Sequence, residues 1–264
     1  MNASQNAELR KTLTPGPDET LVFDAPKSLV DTPTHFCPGC QHGLIHRIVA
    51  GALDDMGLQE RAIAVGSIGC SVFVYRYISM DCVEAPHGRA TAVATGVKRA
   101  RPDKFVYTYQ GDGDLAAIGT AEAIHAANRG ERISVIFVNN TTYGMTGGQM
   151  APTTLLGQKT TTSPKGRDRD AAGAPIRMAE LMAQLDGVAF SARVAVNSVK
   201  NIRKAEKAVR RAFEVQEQGL GFGFVEFLST CPTNWRMDPI KANERIETEM
   251  IPCFPLGIFK ETGR

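Results

Sequence analysis

The sequence predicts an α/β protein built on a doubly wound, mostly parallel β-sheet. Short apolar segments rich in β-branched and aromatic residues alternate with longer segments whose apolar residues recur at helical spacing. This alternation is typical of a parallel sheet covered by helices on both faces. With 264 residues, of which 43% are hydrophobic, the chain is long enough for a single domain with a sizeable core.

Each element has its own signal in the sequence. The strands are short apolar runs, predicted at 62–65, 105–109, 133–138, 188–196 and 223–228. The helices are amphipathic or rich in Ala, and are predicted at 43–56, 89–101, 115–129, about 176–186 and 199–218. Pro102 ends the second helix, while Gly130 and Gly219 end the third and the fifth. The long polar stretch at 139–175 is predicted to be a functional loop.

The two ends of the chain show no persistent period. Residues 1–34, rich in Pro, are predicted to form an extended N-terminal arm in which Leu21-Val22-Phe23 lies on another surface. The stretch after Cys231 is also rich in Pro and shows no clear element, so residues 236–264 are predicted to be a C-terminal tail. The domain itself is expected to span residues 35–235.

Composition excludes several classes of protein. Thirty Lys and Arg residues balance 28 Asp and Glu residues, which argues against a nucleic-acid partner. No apolar run approaches the roughly 20 residues of a membrane helix, and the N-terminus lacks the pattern of a signal peptide. A cytoplasmic location is therefore expected. In that compartment six Cys residues are expected to be buried thiols, metal ligands or catalytic groups rather than disulfides.

A Gly-Asp-Gly segment at 111–113 follows the strand at 105–109 and opens a helix. Glycines and a free helix N-terminus let the backbone approach a phosphate, and Asp112 suits a Mg²⁺ ion that bridges to it. Asn139-Asn140 ends the next strand, with 25 residues between Gly113 and Asn139. Gly-Asp-Gly alone is more often a plain strand-to-helix turn, but the pair of motifs is much more specific. The third glycine of a dinucleotide motif is missing, and so is a GxxxxGK[ST] phosphate loop.

Four Cys residues lie at predicted strand ends or in loops beside them. Cys37 and Cys40 form a CxxC turn, Cys70 follows the first strand and Cys231 follows the last. Four thiolates can hold either a [4Fe–4S] cluster or a structural Zn²⁺, and the spacing leaves both possibilities open. Cys82 and Cys253 fit neither pattern and are expected to be buried thiols.

Six segments in fixed order carry a resemblance to a known family. They are CPGCQHG, GSIGCS, HGRATAVATGVKRARP, GDGDLAAIG, NNTTYGMTGGQMAPTT and STCPTNW, within residues 35–235. Together they resemble the β subunit, which binds thiamine diphosphate (TPP), of a 2-oxoacid:ferredoxin oxidoreductase. The resemblance implies the TPP-binding fold. It also implies oxidative decarboxylation of a 2-oxoacid to acyl-CoA and CO₂, with coenzyme A as co-substrate and electrons passed through a [4Fe–4S] cluster to ferredoxin.

The resemblance also implies roles for individual residues. Asp112, the Asn140 side chain and the Thr142 carbonyl would bind Mg²⁺, and Cys37, Cys40, Cys70 and Cys231 would hold the cluster. The remaining cofactor-binding positions are Ile68, Gly69, Ser71, Gly111, Gly113, Asp114, Leu115, Tyr143, Gly144, Met145 and Thr146. His42, His87 and Arg89 would face the cofactor or substrate as catalytic residues, although a structural hydrogen bond is the alternative for each of them.

The implied enzyme needs partners. A Glu against the aminopyrimidine ring would come from an α subunit, and ferredoxin-like γ and δ subunits would carry further clusters. The TGGQ segment at 146–149 slightly favours a branched-chain acid such as 2-oxoisovalerate over 2-oxoglutarate. The alternative function is a non-redox TPP-dependent lyase or synthase with a structural zinc site.

Overall fold

The computed structural model describes residues 16–20 and 24–263, so the prediction for Leu21-Val22-Phe23 lies outside the described residues. The strands are β1 (Ala62–Gly66), β2 (Asp81–Glu84), β3 (Phe105–Gly111), β4 (Ser134–Asn139), β5 (Thr142–Tyr143), β6 (Gln149–Met150), β7 (Val188–Ala195), β8 (Phe222–Leu228) and β9 (Gly257–Glu261). In the described part, seven of them form one sheet in the order β2-β1-β3-β4-β8-β7-β9, while β5 and β6 form a separate antiparallel pair.

The strands of the large sheet are parallel except for β9, which runs antiparallel to β7. The predicted doubly wound, mostly parallel sheet is therefore confirmed. β2 and β3 flank β1 on opposite sides, so the chain changes direction across the sheet at β1. Ligands of such sheets bind beyond the carboxyl ends of the strands near such a switch point.

Helices cover both faces of the sheet. They are α1 (His42–Asp55), α2 (Ala90–Ala100), α3 (Thr120–Asn128), α4 (Arg169–Ala172), α5 (Met178–Ala183), α6 (Val199–Glu217), α7 (Pro232–Trp235), α8 (Pro239–Arg245) and α9 (Ile251–Cys253). α1 and α6 bury Ile45 and Phe213 against one face, whereas α2, α3 and α5 bury Ala94, Ala123 and Met182 against the other. Within the described ranges, no helix is both long and apolar enough to span a membrane.

The prediction that residues 236–264 form a tail without clear elements is wrong. Asp238 caps α8 by accepting hydrogen bonds from the backbone N–H groups of Ile240 and Lys241. α8, α9 and the π-helical turn between them pack Ile246, Met250 and Phe254 into an apolar cluster. Pro239 and Pro252 lie in the first turns of α8 and α9, where a missing N–H costs little, so these prolines start helices rather than exclude them.

Three further differences have local causes. β2 was not predicted because it is a polar, mostly exposed edge strand without an apolar pattern. The helix predicted at 115–129 is divided into a π-helical turn, Asp114–Ile118, and α3, with Gly119 between them. A Cβ at Gly119 would lie 2.5 Å from the Asp114 carbonyl oxygen and 2.7 Å from that of Gly88, so only Gly fits there. The loop after β4 includes β5, β6 and α4.

Residues 24–34 of the predicted arm contact the domain. Ser28 is fully buried, and its backbone N–H donates a hydrogen bond to the Asp54 carboxylate of α1 at 3.1 Å. Leu29 forms an isolated antiparallel bridge with Ile78. This part of the arm therefore packs against α1 and the segment that leads to β2.

Candidate functional site

The carboxyl ends of β3 and β4 bring the Gly-Asp-Gly and Asn-Asn motifs together. The Asp112 side chain is only 3% exposed. It accepts hydrogen bonds from the backbone N–H groups of Asn140 at 3.2 Å and Thr142 at 3.0 Å. The Thr153 hydroxyl donates a third, at 2.6 Å. Asp112 therefore ties the two loops to each other, and the juxtaposition expected from neighbouring parallel strands is present.

Two buried polar groups at this junction suit a cation. Burial raises the pKa of Asp112 to about 7, and the negative charge of Glu226 adds to the rise, while the three hydrogen bonds oppose it. Asn140 Oδ1 is buried and has no hydrogen-bond partner among the described residues. An unsatisfied buried acceptor costs about 1–3 kcal/mol. A Mg²⁺ ion would satisfy the amide oxygen and favour the ionised carboxylate, so the residues fit this metal.

Asp114, the second acidic residue of the motif, turns away from this junction. Its fully buried carboxylate accepts hydrogen bonds from His87 Nδ1 at 2.9 Å, the Gly88 backbone N–H and the Gln110 side chain. A Cβ added to Gly113 would lie 3.2 Å from the Tyr143 ring and 3.6 Å from His87 Nε2. The Asp114 carboxylate therefore orients His87, whose other ring nitrogen lies next to Gly113.

A cleft of about 180 Å³ lies above these strand ends. Of the residues predicted to bind the cofactor, all but Leu115 line it: Ile68, Gly69, Ser71, Gly111, Asp112, Gly113, Asp114, Asn140, Thr142, Tyr143, Gly144, Met145 and Thr146. The Leu115 side chain is fully buried in the core beneath the helices. His42, His87 and Cys70 also line the cleft.

Arg89 is not among the lining residues. Its guanidinium forms an ion pair with Glu122 of α3 at 2.7 Å, and both side chains are partly exposed. This contact matches the alternative that the sequence left open for Arg89, a structural interaction between the ends of two neighbouring helices. A surface pair of this kind typically contributes at most about 1 kcal/mol.

His42 begins α1 and is almost completely buried. Its Nδ1 forms a hydrogen bond of 2.8 Å with the Tyr109 hydroxyl, and the Phe36 ring stacks on it at a centroid distance of 4.9 Å. Burial lowers the pKa of His42 to about 4, and His35 adds to the effect. The imidazole is therefore neutral at neutral pH and is held rigidly beside the CxxC turn.

Gly144 brings two of the predicted cluster ligands close together. A Cβ at this position would lie 3.2 Å from Cys70 Sγ and 3.6 Å from Cys231 Sγ. Burial raises the pKa of Cys40 to about 11 and that of Cys70 to about 12. Charge interactions with the other cysteines of the predicted set add to both increases. The thiols of Cys40 and Cys70 therefore carry protons at neutral pH, and binding of a metal must displace them.

Within residues 16–20 and 24–263, no group of three or more His, Cys, Asp or Glu side chains converges on a single metal-ion position. A [4Fe–4S] cluster places each thiolate on a different iron, whereas Zn²⁺ gathers all its ligands around one atom.

Cys82 and Cys253 are half-buried, so the prediction of buried thiols is wrong for both. Cys82 lies on the edge strand β2, and Cys253 ends α9.

Sequence reasoning missed three residues of the site. Thr153 contacts Asp112, and the Asn234 side chain donates hydrogen bonds to the Gly144 carbonyl at 2.8 Å and to Cys231 Sγ at 3.2 Å. The Trp235 indole N–H donates to the Asn140 carbonyl at 3.2 Å. All three belong to segments that carry the resemblance, but nothing in their spacing assigns a partner to any of them.

Comparisons with known proteins agree with this geometry. The family model of the thiamine pyrophosphate enzyme C-terminal TPP-binding domain matches residues 67–226. Ketoisovalerate oxidoreductase subunit VorA of Methanothermobacter thermautotrophicus is 50% identical over 240 residues, which are 91% of this chain and 50% of the relative. The chain thus spans about half the length of this relative. 2-Oxoglutarate synthase subunit KorB of Archaeoglobus fulgidus is 36% identical over 239 residues, 87% of this chain and 85% of the relative.

A solved structure of a 2-oxoglutarate:ferredoxin oxidoreductase from Magnetococcus marinus, with 2-oxoglutarate, coenzyme A and succinyl-CoA bound, superposes with a TM-score of 0.73. It is 26% identical in sequence, and the match covers 94% of this chain and 88% of that one. The family match, the relatives and the shared fold show that the chain belongs to the thiamine pyrophosphate enzymes, as a TPP-binding subunit of the 2-oxoacid:ferredoxin oxidoreductase family.

Proposed function

We propose that the chain is the β subunit of a CoA-dependent 2-oxoacid:ferredoxin oxidoreductase. One 2-oxoacid and one CoA would give one acyl-CoA, one CO₂, one proton and two electrons. A [4Fe–4S] cluster on this chain would pass the electrons singly to two ferredoxin molecules. The chain would contribute the domain at 35–235, with its flanking segments packed against it.

This proposal rests on one observation: Gly144 lies between the candidate magnesium site and the candidate cluster ligands. A Cβ there would lie 3.7 Å from Asn140 Nδ2 and 3.2 Å from Cys70 Sγ. The candidate magnesium and diphosphate site and the candidate cluster ligands are therefore separated by a single glycine. This proximity supports direct electron transfer between the two groups, which a decarboxylase that only protonates its product does not need.

Different residues of the chain would hold the Mg²⁺ ion, the diphosphate and the cluster. Asp112, Asn140 and the Thr142 carbonyl would hold Mg²⁺, and the Gly113 turn would admit the diphosphate. Cys37, Cys40, Cys70 and Cys231 would hold the cluster, and the other residues lining the cleft would flank the cofactor rings. When bound, TPP would supply the carbanion chemistry of decarboxylation, and the cluster would supply one-electron transfer.

His87 is suited to hold a proton in the cleft. An ionised carboxylate only accepts hydrogen bonds, so Asp114 fixes the proton on Nδ1 and leaves Nε2 free beside Gly113. In this tautomer Nε2 accepts hydrogen bonds, so it could take up a proton from the substrate and, once protonated, donate to a phosphate oxygen. His42, neutral and fixed by Tyr109, would instead shape the wall between the cleft and the CxxC turn.

The relatives support a branched-chain substrate. The chain is 50% identical to ketoisovalerate oxidoreductase subunits but at most 39% identical to the 2-oxoglutarate synthase subunits compared. We therefore favour 2-oxoisovalerate, with 2-oxoglutarate next. The partners would be an α subunit that supplies the Glu for the aminopyrimidine, γ and δ subunits with ferredoxin-like clusters, and ferredoxin itself.

Metal analysis of the anaerobically purified complex tests the proposal. Iron, sulfide and brown absorption are expected, whereas stoichiometric zinc without iron would identify the non-redox lyase with a zinc site instead. In the complex, Cys231→Ala should abolish the reduction of a viologen dye by the 2-oxoacid while TPP stays bound. Cys82→Ala, on the opposite side of β1 from β3, is the matched control and should retain full dye reduction.

A further inference from the structure

A buried row of polar side chains crosses three neighbouring strands below the cleft. Arg193 of β7 and Glu226 of β8 are paired in register, and both side chains are completely buried. Their charged atoms, Nη2 and Oε2, lie 3.0 Å apart. Such a pair costs desolvation energy for both ions, which further hydrogen bonds to the charged groups offset. Among the described residues, Arg193 Nε has no hydrogen-bond partner, so the ion pair depends on the bonds made by the two terminal nitrogens of Arg193 and by both oxygens of Glu226.

The second oxygen of Glu226 continues the row toward the site. Glu226 Oε1 accepts a hydrogen bond of 2.7 Å from Asn139 Nδ2, at the end of β4. Asn139 Oδ1 in turn accepts one of 3.2 Å from the Thr141 backbone N–H. Thr141 has a φ of +60°, a left-handed conformation that is rare for a β-branched residue and needs support from its surroundings.

The conformation of Thr141 decides where its neighbours point. Asn140 and Thr142 flank it, and their backbone N–H groups both donate to Asp112. The row Arg193–Glu226–Asn139–Thr141 therefore ends within the turn that presents the Asn140 amide and the Thr142 carbonyl. Neither Glu226 nor Asn139 lines the cleft.

The other end of the row is fixed by the C-terminal segment. The Arg193 guanidinium lies over the rings of Phe254 and Phe259, 5.3 and 5.2 Å from their centroids. It also donates to the Pro255 carbonyl at 3.1 Å and to Glu180. With Arg193 held in this way, Glu226 has little freedom to move away from Asn139.

We propose that Glu226 is a positioning residue for the magnesium site, acting through Asn139 to hold the Thr141 turn so that Asn140 and Thr142 face the metal. The inference rests on the proposed role of Asp112, Asn140 and Thr142 in binding Mg²⁺. The proposal predicts that the affinity for Mg²⁺ depends on which atoms of the row donate and which accept hydrogen bonds. The size of the side chains in the row should matter little.

The hydrogen-bond pattern supplies a sharp test because every partner of the Glu226 carboxylate is a donor: Arg193, the Ala179 backbone N–H and Asn139. In Glu226→Gln the new amide oxygen can serve Arg193 and Ala179, but the NH₂ group then faces Asn139. Asn139 must turn its oxygen toward that group and lose its bond to Thr141. Adding Asn139→Asp supplies two acceptor oxygens, which restores both bonds and keeps the net charge of the pair unchanged.

Mg²⁺ binding is measured in the 264-residue chain with TPP present, by calorimetry and by the fluorescence of Trp235, its single tryptophan. Trp235 donates to the Asn140 carbonyl, so its emission reports on the same turn. Glu226→Gln is expected to weaken Mg²⁺ binding by about 10- to 100-fold and to shift the emission. The double variant, Glu226→Gln with Asn139→Asp, is expected to recover both. Glu180→Gln, which replaces one acceptor oxygen and removes the charge at a different partner of Arg193, is the matched control and should bind as the wild type does.

The proposal is overturned if Glu226→Gln binds Mg²⁺ as tightly as Glu180→Gln, or if the double variant is no better than Glu226→Gln alone. Asn139→Ala cuts the row without touching the ion pair, so it decides the question if Glu226→Gln does not fold. Wild-type affinity in Asn139→Ala also overturns the proposal. Asp112→Ala distinguishes the proposed metal site from the proposed role of Glu226. Unchanged Mg²⁺ binding in Asp112→Ala refutes the metal site itself. Loss of binding in Asp112→Ala without any loss in Glu226→Gln refutes only the role of Glu226.

Discussion

Asp112→Asn should make the metal-free chain more stable at pH 8, although it removes a proposed metal ligand. Burial raises the pKa of this carboxyl from 3.8 to about 7. Between these two pH values the folded chain keeps a proton that the unfolded chain releases. The stability linked to that proton is therefore fully present below about pH 4 and is lost as the pH rises through 7.

The magnitude follows from the two pKa values. The interval from 3.8 to about 7 corresponds to roughly 4 kcal/mol, at about 1.4 kcal/mol per pH unit. Asn has only one acceptor atom, so the hydrogen bond from the Asn140 or the Thr142 N–H is lost, which offsets about 1–2 kcal/mol. A net gain on the order of 2 kcal/mol remains at pH 8.

Urea denaturation of both proteins in EDTA, at pH 5 and at pH 8, measures this effect. The free energy of unfolding of the variant, relative to that of the wild type, should increase by roughly 3 kcal/mol from pH 5 to pH 8. His42 and His46 have pKa values lowered to about 4 and 3 by burial and favour stability at higher pH, but both proteins contain them, so they cancel in the comparison.

Asp103→Asn is the control, because the pKa of this exposed carboxyl is lowered by a hydrogen bond from Arg101. Its removal should change stability little and by the same amount at pH 5 and pH 8, because a carboxyl with a lowered pKa is ionised in both the folded and the unfolded chain across this interval. A stability difference between Asp112→Asn and the wild type that stays constant from pH 5 to pH 8 would refute the reasoning.

Three further outcomes are expected. Gly144→Ala should change the melting temperature of the metal-free chain by no more than a few degrees. It should reduce the iron content of the reconstituted protein, because the new methyl group would lie 3.2 Å from Cys70 Sγ. The control Gly96→Ala, whose methyl group would have no atom within 4 Å, should leave the iron content unchanged. Phe254→Ala should lower the free energy of unfolding by about 3–5 kcal/mol in urea titrations, since this ring is fully buried against Arg193. Mg²⁺ affinity measured by calorimetry should fall about tenfold per pH unit below pH 7, because the metal must displace the proton of Asp112; an affinity independent of pH would contradict this assignment.

Much of the architecture could be predicted from local sequence signals. The buried strands are continuous apolar runs, and in a parallel sheet their carboxyl ends meet at one edge, which was enough to place Asp112 near Asn140. Gly130 and Gly219 end their helices with φ of +64° and +71°, as their positions after α3 and α6 predict. These features depend on residues that are close in sequence.

What escaped prediction depends on contacts between distant residues. β9 pairs with β7 across more than sixty residues, and its exposed, mixed composition carries no strand pattern of its own. The buried charges of Arg193 and Glu226 resemble surface residues until their pairing is known. Asp114 was expected to be a cofactor-binding position, and only the fold shows that its side chain turns toward His87. Spacing along the chain contains none of this information.

The position of β9 also constrains how the chain can fold during synthesis. β7 and β8 can pair as soon as residue 228 is available, but the Arg193 charge is covered only when Phe254 and Phe259 have joined the sheet. Until then a chain growing from its N-terminus holds a half-covered cation and an unpaired β7 edge, a form prone to pairing with other chains. β9 therefore completes the cover over Arg193, and the turn from Asn139 to Thr142, which is linked to Arg193 through Glu226, should be among the later parts of the domain to become rigid.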